Sequence, residues 1–279
     1  MVVLLIKMKG ITDNKIQIEQ RESTVKMRVL ISLNRPKITL NCDMGESYGH
    51  WTMGADEQIM PWVDMANIAC GFHASDPQVM AKTIALAKHY HVDVGAHPAY
   101  QDLQGFGRRS IPHTCAQITE LVAYQVGALL GIAKLKSAKI KYVKPHGALY
   151  NDMIADKAIF EAIVEAVSLF GLPLMTLATP NNQIYLDIAD KYDVPLLFEA
   201  FADRAYQTNG SLVPRNQTGA VYHNADDIFN QAMQLSNYGS VTTLSGETLQ
   251  LEVDTLCVHG DNPASIALIQ RLSQALTQT

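Results

Sequence analysis

The chain has 279 residues, of which 48% are hydrophobic and 18% charged, and its formal net charge at pH 7 is -5. Such a chain can bury one large core or two modest ones. Its charge and the lack of a long basic run argue against a nucleic-acid partner, and no apolar run approaches the ~20 residues of a membrane span. The opening apolar stretch is also shorter than that of a secretory signal.

The four cysteines form no CxxC pair, and three of them lie in or at the end of apolar runs. A reduced, buried cysteine at such a place behaves as a small hydrophobe. The sequence therefore predicts a cytoplasmic protein with reduced thiols, and with neither a nucleic-acid nor a membrane partner.

The segment Met1–Pro36 differs from the rest of the chain, because it shows little apolar periodicity. We predict that it is an N-terminal extension, poorly ordered or peripheral. From Lys37 to Thr279, short β-rich apolar runs alternate with longer segments of helical pattern. This alternation predicts a single catalytic domain built on a parallel sheet with helices on its outside.

The predicted elements follow one another in regular order. The strands are Ile38–Cys42, Met65–Cys70, Val92–Ala96, Lys141–Lys144, Leu174–Leu177, Leu196–Ala200 and Thr255–Val258. The helices between them are Asp76–Tyr90, Thr114–Leu135, Asp156–Phe170, Asn181–Tyr192 and Ala225–Tyr238. The segment Val241–Val253 resembles a hairpin insert that could cover one end of the barrel. No GxGxxG motif follows the first strand, so we predict a closed or nearly closed β/α barrel rather than a dinucleotide-binding sheet.

Ionisable residues follow six of the seven predicted strands. In a β/α barrel the carboxyl ends of the strands converge on one face, where active sites are built. A single histidine there is more often a partly buried side chain bonded to backbone, but the shared position of several favours a site. The residues are Asp43, Glu46, His73, Asp76, His97, Lys144, His146, Glu199, Asp203, Arg204, His259 and Asp261.

Asp43 and Glu46 lie three residues apart in a glycine-containing turn. They could form a carboxylate pair in which one group acts as a base towards water, or Asp43 could cap the turn. Together with imidazoles they could also hold a divalent metal ion, although no HExxH motif is present. The pattern does not choose among these three roles.

A glycine-spaced loop, Leu103–Ser110, carries Arg108 and Arg109. Glycine lets the backbone approach a ligand, and a guanidinium group can grip a carboxylate or a phosphate through two parallel bonds. Arginines of a surface loop can equally well pair with nearby acids. No GxxxxGK[ST] motif occurs, so the sequence predicts no P-loop nucleotide site.

Seven blocks, in order from about Leu40 to near the C-terminus, resemble the LamB/YcsF family. They are LNCDMGESYG, ANIACGFHASDP, VGAHPAYQDLQGFGRR, YVKPHGALYN, FEAFADRAY, LVPR and CVHGDNP. The resemblance implies a seven-stranded (β/α) barrel of the glycoside hydrolase and deacetylase type. Two features depart from the family pattern: Met1–Pro36 lies outside the match, and Ser75 stands where the family has glycine.

The resemblance also implies an activity, the ATP-dependent opening of the lactam 5-oxoproline to L-glutamate, in a complex with 5-oxoprolinase subunits B and C. Coupling to ATP suggests that the amide oxygen is phosphorylated before water attacks. We expect ATP to bind with the partner subunits, because this chain lacks a P-loop. A divalent metal remains an open alternative as a cofactor.

On this expectation the catalytic residues are Asp43, Glu46, His73, His97, Lys144 and His146. Lys144 supplies fixed positive charge, His97 or His146 moves protons, and one of the two carboxylates acts as the base. Arg109 clamps the substrate carboxylate. Further substrate contacts are expected from Glu199, Arg204, His259 and Asp261.

Two other functions compete with this one. A stand-alone metal-dependent deacylase of the same barrel superfamily would hold zinc tightly, which metal analysis of the purified chain would reveal. A substrate-binding subunit without catalytic groups would need cations for an anionic lactam, whereas Asp43 and Glu46 are carboxylates.

Overall fold

The computed structural model describes residues 38–259 and 263–277. The predicted extension Met1–Pro36 and the predicted substrate contact Asp261 lie outside the described residues. Both stay predictions.

Seven parallel strands close into a barrel in chain order, with the last strand paired to the first. They are β1 (Thr39–Met44), β2 (Met65–Ala69), β3 (Asp93–His97), β4 (Ile140–Val143), β5 (Leu174–Leu177), β6 (Leu196–Phe201) and β9 (Thr255–Val258). Parallel strands covered by helices are buried on both faces, so they read as nearly continuous apolar runs. The sequence showed such runs, and the seven predicted strands and the closed barrel are confirmed.

Helices lie between the strands along the chain. They are α1 (Asp56–Ile59), α2 (Pro77–His89), α3 (Cys115–Leu135), α4 (Gly147–Ala155), α5 (Lys157–Ser168), α6 (Gln183–Ala189), α7 (Ala225–Tyr238) and α8 (Pro263–Thr277). Short 3-10 turns, Met60–Trp62 and Asp190–Tyr192, follow α1 and α6. The five predicted helices are confirmed with ends shifted by a residue or two, whereas α1, α4 and α8 were not predicted.

The helix α4 escaped prediction because it has no usual start signal. It begins directly behind β4, and its N-cap residue His146 makes no side-chain capping bond. By contrast, α2 starts where predicted, since the Asp76 carboxylate accepts hydrogen bonds from the backbone N–H groups of Gln78 and Val79. The junction between β4 and α4 is therefore tight, and it carries Lys144 and His146.

The helix α3 corrects one statement made from the sequence. Its 21 residues are long and apolar enough, by length and composition alone, to cross a membrane, so the expectation that no segment has this property is wrong. In the structure Ile118 and Val122 are buried. Gln125, also buried, bonds to the backbone N–H and carbonyl of Ala99. These contacts are those of a barrel helix, and a single such helix is weak evidence for a membrane.

Between α7 and β9 the chain forms an antiparallel pair, β7 (Ser240–Thr242) with β8 (Thr248–Gln250). Ser240 lies opposite Gln250, and Val241 is fully buried in the core. The predicted hairpin is thereby confirmed.

Candidate active site

The carboxyl ends of the barrel strands bring seven of the predicted site residues into contact. Each of them is held by an ion pair or a ring contact with another member. We call this group the polar cluster, and its members are Asp43, Glu46, His73, His97, Lys144, His146 and Glu199.

Lys144 lies between two carboxylates in the buried interior of the barrel. Its Nζ is 2.7 Å from Glu199 Oε1 and 3.1 Å from Asp43 Oδ1. It also donates to Asn41 Oδ1 at 3.1 Å and contacts Cys257 Sγ at 3.3 Å. Burial alone would lower the pKa of Lys144, but the neighbouring negative charges outweigh burial and hold the pKa well above its ordinary value. Lys144 is therefore a fixed cation.

Asp43 is the carboxylate that links Lys144 to the histidines. Its Oδ1 accepts a hydrogen bond from Asn67 Nδ2 at 2.8 Å, and its Oδ2 lies 3.3 Å from His97 Nε2. Burial would raise the pKa of Asp43, but the charges of His97 and Lys144 outweigh it and hold the pKa well below its usual range. Its side chain is 15% exposed, so an ionised oxygen reaches the mouth of the site.

Two histidines face each other below this carboxylate. His97 Nε2 lies 2.9 Å from His146 Nδ1. The other nitrogen of each ring meets a backbone carbonyl: His97 Nδ1 is 2.6 Å from Lys144 O, and His146 Nε2 is 2.9 Å from Phe106 O. Burial and the charges of His73 and His97 lower the pKa of His146 well below its ordinary value, so this ring is neutral.

His73 lies flat against His146, with ring centroids 3.8 Å apart and an angle of 5° between the planes. Its Nε2 is 3.1 Å from Glu46 Oε1. Burial and the charge of His97 lower the pKa of His73, whereas burial and the charge of Asp43 raise the pKa of Glu46. Glu46 thus points into the histidines, and its side chain is 18% exposed.

The loop after β3 covers these histidines, and one glycine makes the close approach feasible. Gly107 has a φ of +65°, and a Cβ there would lie 2.8 Å from both His146 Cδ2 and His73 Cβ. Its carbonyl accepts a hydrogen bond from the Ala148 N–H at 2.8 Å. Any side chain at this position would push the loop away from the rings.

At the rim of the cluster His259 and Asp203 form a pair, with Nδ1 and Oδ2 2.8 Å apart. Burial would lower the pKa of His259, but the Asp203 carboxylate outweighs it and raises that pKa. Burial would raise the pKa of Asp203, but His259 outweighs it and lowers it. The two side chains are 22% and 15% exposed. The site therefore presents a protonated imidazole to its mouth.

The two predicted guanidinium contacts are engaged elsewhere. Arg204 is buried, and its Nη2 and Nε donate to the backbone carbonyls of Val213 and Ala220 at 2.7 and 3.3 Å. Arg109 pairs with buried Asp102, with Nε 3.0 and 3.1 Å from the two carboxylate oxygens. The structure therefore does not bring either group to the polar cluster. Arg108 lies nearer, since its charge lowers the pKa of His73.

Sequence reasoning missed a set of polar residues inside the barrel. Asn67 Nδ2 donates to Asn41 Oδ1 at 2.8 Å, and the Tyr142 hydroxyl donates to Asn67 Oδ1 at 2.6 Å. Asn41 Nδ2 in turn donates to Thr255 Oγ1 at 3.0 Å. Gly95 leaves room for the Tyr142 ring, because a Cβ there would lie 2.2 Å from it. The available signal was asparagine within strands otherwise apolar, since a buried amide needs partners.

Ser75, which departs from the family pattern, adopts a left-handed conformation with a φ of +75° and is buried. This conformation costs a residue with a Cβ about 1–2 kcal/mol, and glycine's greater freedom in the unfolded chain offsets about 0.5–1 kcal/mol of the gain. We expect Ser75→Gly to raise the free energy of unfolding by about 0.5–1 kcal/mol. Denaturant melts test this, with Ser75→Ala as the control that keeps the Cβ. Equal stability of the two variants would contradict it.

The comparisons with known proteins agree with this geometry. The LamB/YcsF family model matches residues 38–279. The A subunit of 5-oxoprolinase from Vibrio vulnificus (strain CMCP6) is 68% identical over 246 residues, which are 88% of this chain and 100% of the relative. That of Vibrio cholerae serotype O1 (strain M66-2) is 59% identical over the same shares. The crystal structure of the lactam utilization protein from Thermus thermophilus is 38% identical with a TM-score of 0.80, covering 87% of this chain and 97% of that one. With the family model matching nearly all of the barrel domain, the chain belongs to the LamB/YcsF family.

Proposed function

We propose that this chain is the A subunit of an ATP-dependent 5-oxoprolinase, which opens 5-oxoproline to L-glutamate. The observation that carries the proposal is the 68% identity to a protein named as the A subunit of 5-oxoprolinase, over that protein's whole length. The word subunit points to partners, which we propose are a B and a C subunit that supply the ATP site. The cytoplasmic location expected from the sequence stays a prediction.

The proposed chemistry follows from the stability of the substrate. A five-membered lactam is an amide with little ring strain, so water opens it slowly unless the carbonyl carbon is activated. ATP would phosphorylate the amide oxygen. Water then adds to the ring carbon, the carbon–nitrogen bond breaks as nitrogen takes a proton, and a second water hydrolyses the acyl phosphate to glutamate and phosphate. The site must therefore offer a base and an acid.

Asp43 and His259 are the groups that we propose for these two roles. Asp43 is ionised, reaches the mouth and is fixed by Asn67 and Lys144. His259 carries the raised pKa of an acid and is paired with Asp203. Groups whose environments push their pKa values apart are the usual acid and base of a site. The protonated His259 is better placed to donate than His146, whose pKa is lowered.

We expect the isolated chain to show no 5-oxoproline-stimulated ATP hydrolysis, because it has no glycine-rich phosphate loop before a helix. With both proposed partners present, ATP hydrolysis should depend on 5-oxoproline, and glutamate should form. The measurement is phosphate release and glutamate production for the chain alone, the partners alone and the mixture. Turnover of ATP by the chain alone would contradict the assignment of ATP to the partners, and a mixture without glutamate would overturn the proposed function.

Arg108 rather than Arg109 is the better candidate to grip the substrate carboxylate, because Arg109 is held by Asp102. A charge-assisted hydrogen bond contributes about 1.5–3 kcal/mol, so Arg108→Ala should raise the KM for 5-oxoproline by about 10- to 100-fold. Arg109→Ala is the matched control and should leave KM within a few-fold while lowering the melting temperature. The reverse ranking of the two KM values would restore Arg109 as the clamp.

A further inference from the structure

We propose that Glu46, His97 and His146 bind a divalent transition-metal ion of the zinc type, with His73 holding Glu46 in position. We call Glu46, His97 and His146 the metal triad. Together with His73 they offer ligand atoms that all lie within 4.8 Å of one another. The proposal concerns binding by these residues and does not depend on which substrate the site takes.

The first argument is the direction of the lone pairs. Backbone carbonyls can only accept hydrogen bonds, so the nitrogens that meet Lys144 O and Phe106 O, His97 Nδ1 and His146 Nε2, carry the hydrogens. The other nitrogens, His97 Nε2 and His146 Nδ1, then face each other with their lone pairs across 2.9 Å. Two facing lone pairs repel unless a cation, either a proton or a metal ion, lies between them. Metal-bound histidines almost always donate their second N–H to such an outer carbonyl.

The second argument separates His73 from the metal triad. An imidazole binds a metal in its own plane, so two rings can share an ion only if their planes converge. The planes of His97 and His146 meet at 82°, whereas His73 and His146 are parallel to within 5°. The lone pairs of the stacked rings therefore run side by side. His73 instead reaches Glu46 Oε1 at 3.1 Å, which suits a residue that orients a ligand carboxylate.

The third argument is the fit of a metal of this class. Glu46 Oε1 is 3.8 Å from His146 Nδ1, on the side where the cluster opens to solvent. Zinc–nitrogen bonds of about 2.0–2.1 Å would set the two histidine nitrogens about 3.3 Å apart, so the rings must separate by only a few tenths of an ångström. Two imidazoles and one carboxylate leave coordination positions open, which is typical of catalytic rather than structural sites. A metal so bound would supply an acidified water.

The test is titration of the full chain, stripped with a chelator, with zinc alone. We expect one equivalent to bind, to raise the melting temperature and to remain after gel filtration. His97→Ala and His146→Ala should each weaken zinc binding by at least about 100-fold, and His73→Ala by about 10- to 100-fold, because it acts only through Glu46. Replacing zinc with cobalt(II) adds a visible absorption band that should vanish in the two ligand variants.

Two further variants keep the result interpretable. Glu46→Gln conserves shape and should lose zinc as the ligand variants do, whereas His89→Ala removes an exposed surface histidine and should bind zinc like the unaltered chain. Circular dichroism of the stripped variants checks that they fold. The proposal is overturned if the folded His97→Ala and Glu46→Gln variants bind zinc as tightly as the unaltered chain. It is equally overturned if zinc leaves the melting temperature of the unaltered chain unchanged.

Discussion

Replacing Lys144 by methionine should reduce the glutamate-forming rate of the reconstituted complex by about 10²–10³-fold, the usual effect of losing one preorganised charge. Methionine keeps the apolar stem and removes the ammonium group. The structure adds a second effect that the sequence did not suggest. Lys144 is buried between Asp43 and Glu199, so its loss leaves two carboxylates facing each other without a cation. Breaking a buried pair in this way costs about 3–5 kcal/mol of stability, so the melting temperature should fall as well.

A double variant separates the two effects of Lys144. Adding Glu199→Gln to Lys144→Met removes one of the stranded charges while keeping the shape of the side chain. The melting temperature should then partly recover, whereas the turnover should stay low. Recovery of turnover together with stability would show that Lys144 acts only by holding the barrel together.

Asp43→Asn should lower turnover by a comparable factor of about 10²–10³, because the amide keeps the shape but cannot take a proton from water. Its effect on stability should be smaller than that of Lys144→Met, since Glu199 still partners Lys144 at 2.7 Å. The measurement is turnover of the reconstituted complex beside thermal melts. Asp152→Asn makes the same chemical change outside the polar cluster, where the carboxylate accepts from Tyr100 and Ser110.

The two positions should not act independently. If Asp43 and Lys144 serve one step, the double variant loses far less rate than the product of the two single losses. Near-normal turnover in folded Asp43→Asn would remove Asp43 from the role of base and leave it as a structural ion-pair partner of Lys144.

The sequence could predict the polar cluster because parallel strands all end on the same face of a barrel. Asp43, His97 and Lys144 each lie at such an end, and the position of the strand alone brings them together. It could not predict partners that depend on loop conformation. Arg109 meets Asp102 within one loop, and Arg204 turns back onto the carbonyls of its own connection. Sequence spacing holds no record of such turns.

The order of the two histidine roles was hidden for the same reason. His97 and His146 appear equivalent to His259 as histidines at strand ends, yet their backbone partners differ. A carbonyl oxygen meets the outer nitrogen of each of the first two, whereas a carboxylate meets His259. That difference of partner sets which ring stays neutral and which carries charge, and only folded coordinates display it.

The hydrogen-bonded chain of Asn41, Asn67, Tyr142 and Thr255 has a consequence for how this barrel can change over time. Replacing one member by an apolar residue strands its neighbour's polar group, at about 1–3 kcal/mol each, so neutral drift must exchange them in compensating sets. Outside the strands, buried aliphatic residues such as Ile84 and Leu129 can swap for others of similar volume at under about 1.5 kcal/mol. Natural variation should therefore accumulate in the helical shell while the barrel lumen stays locked. Anyone re-engineering this scaffold for another substrate would have to rebuild the lumen as one unit.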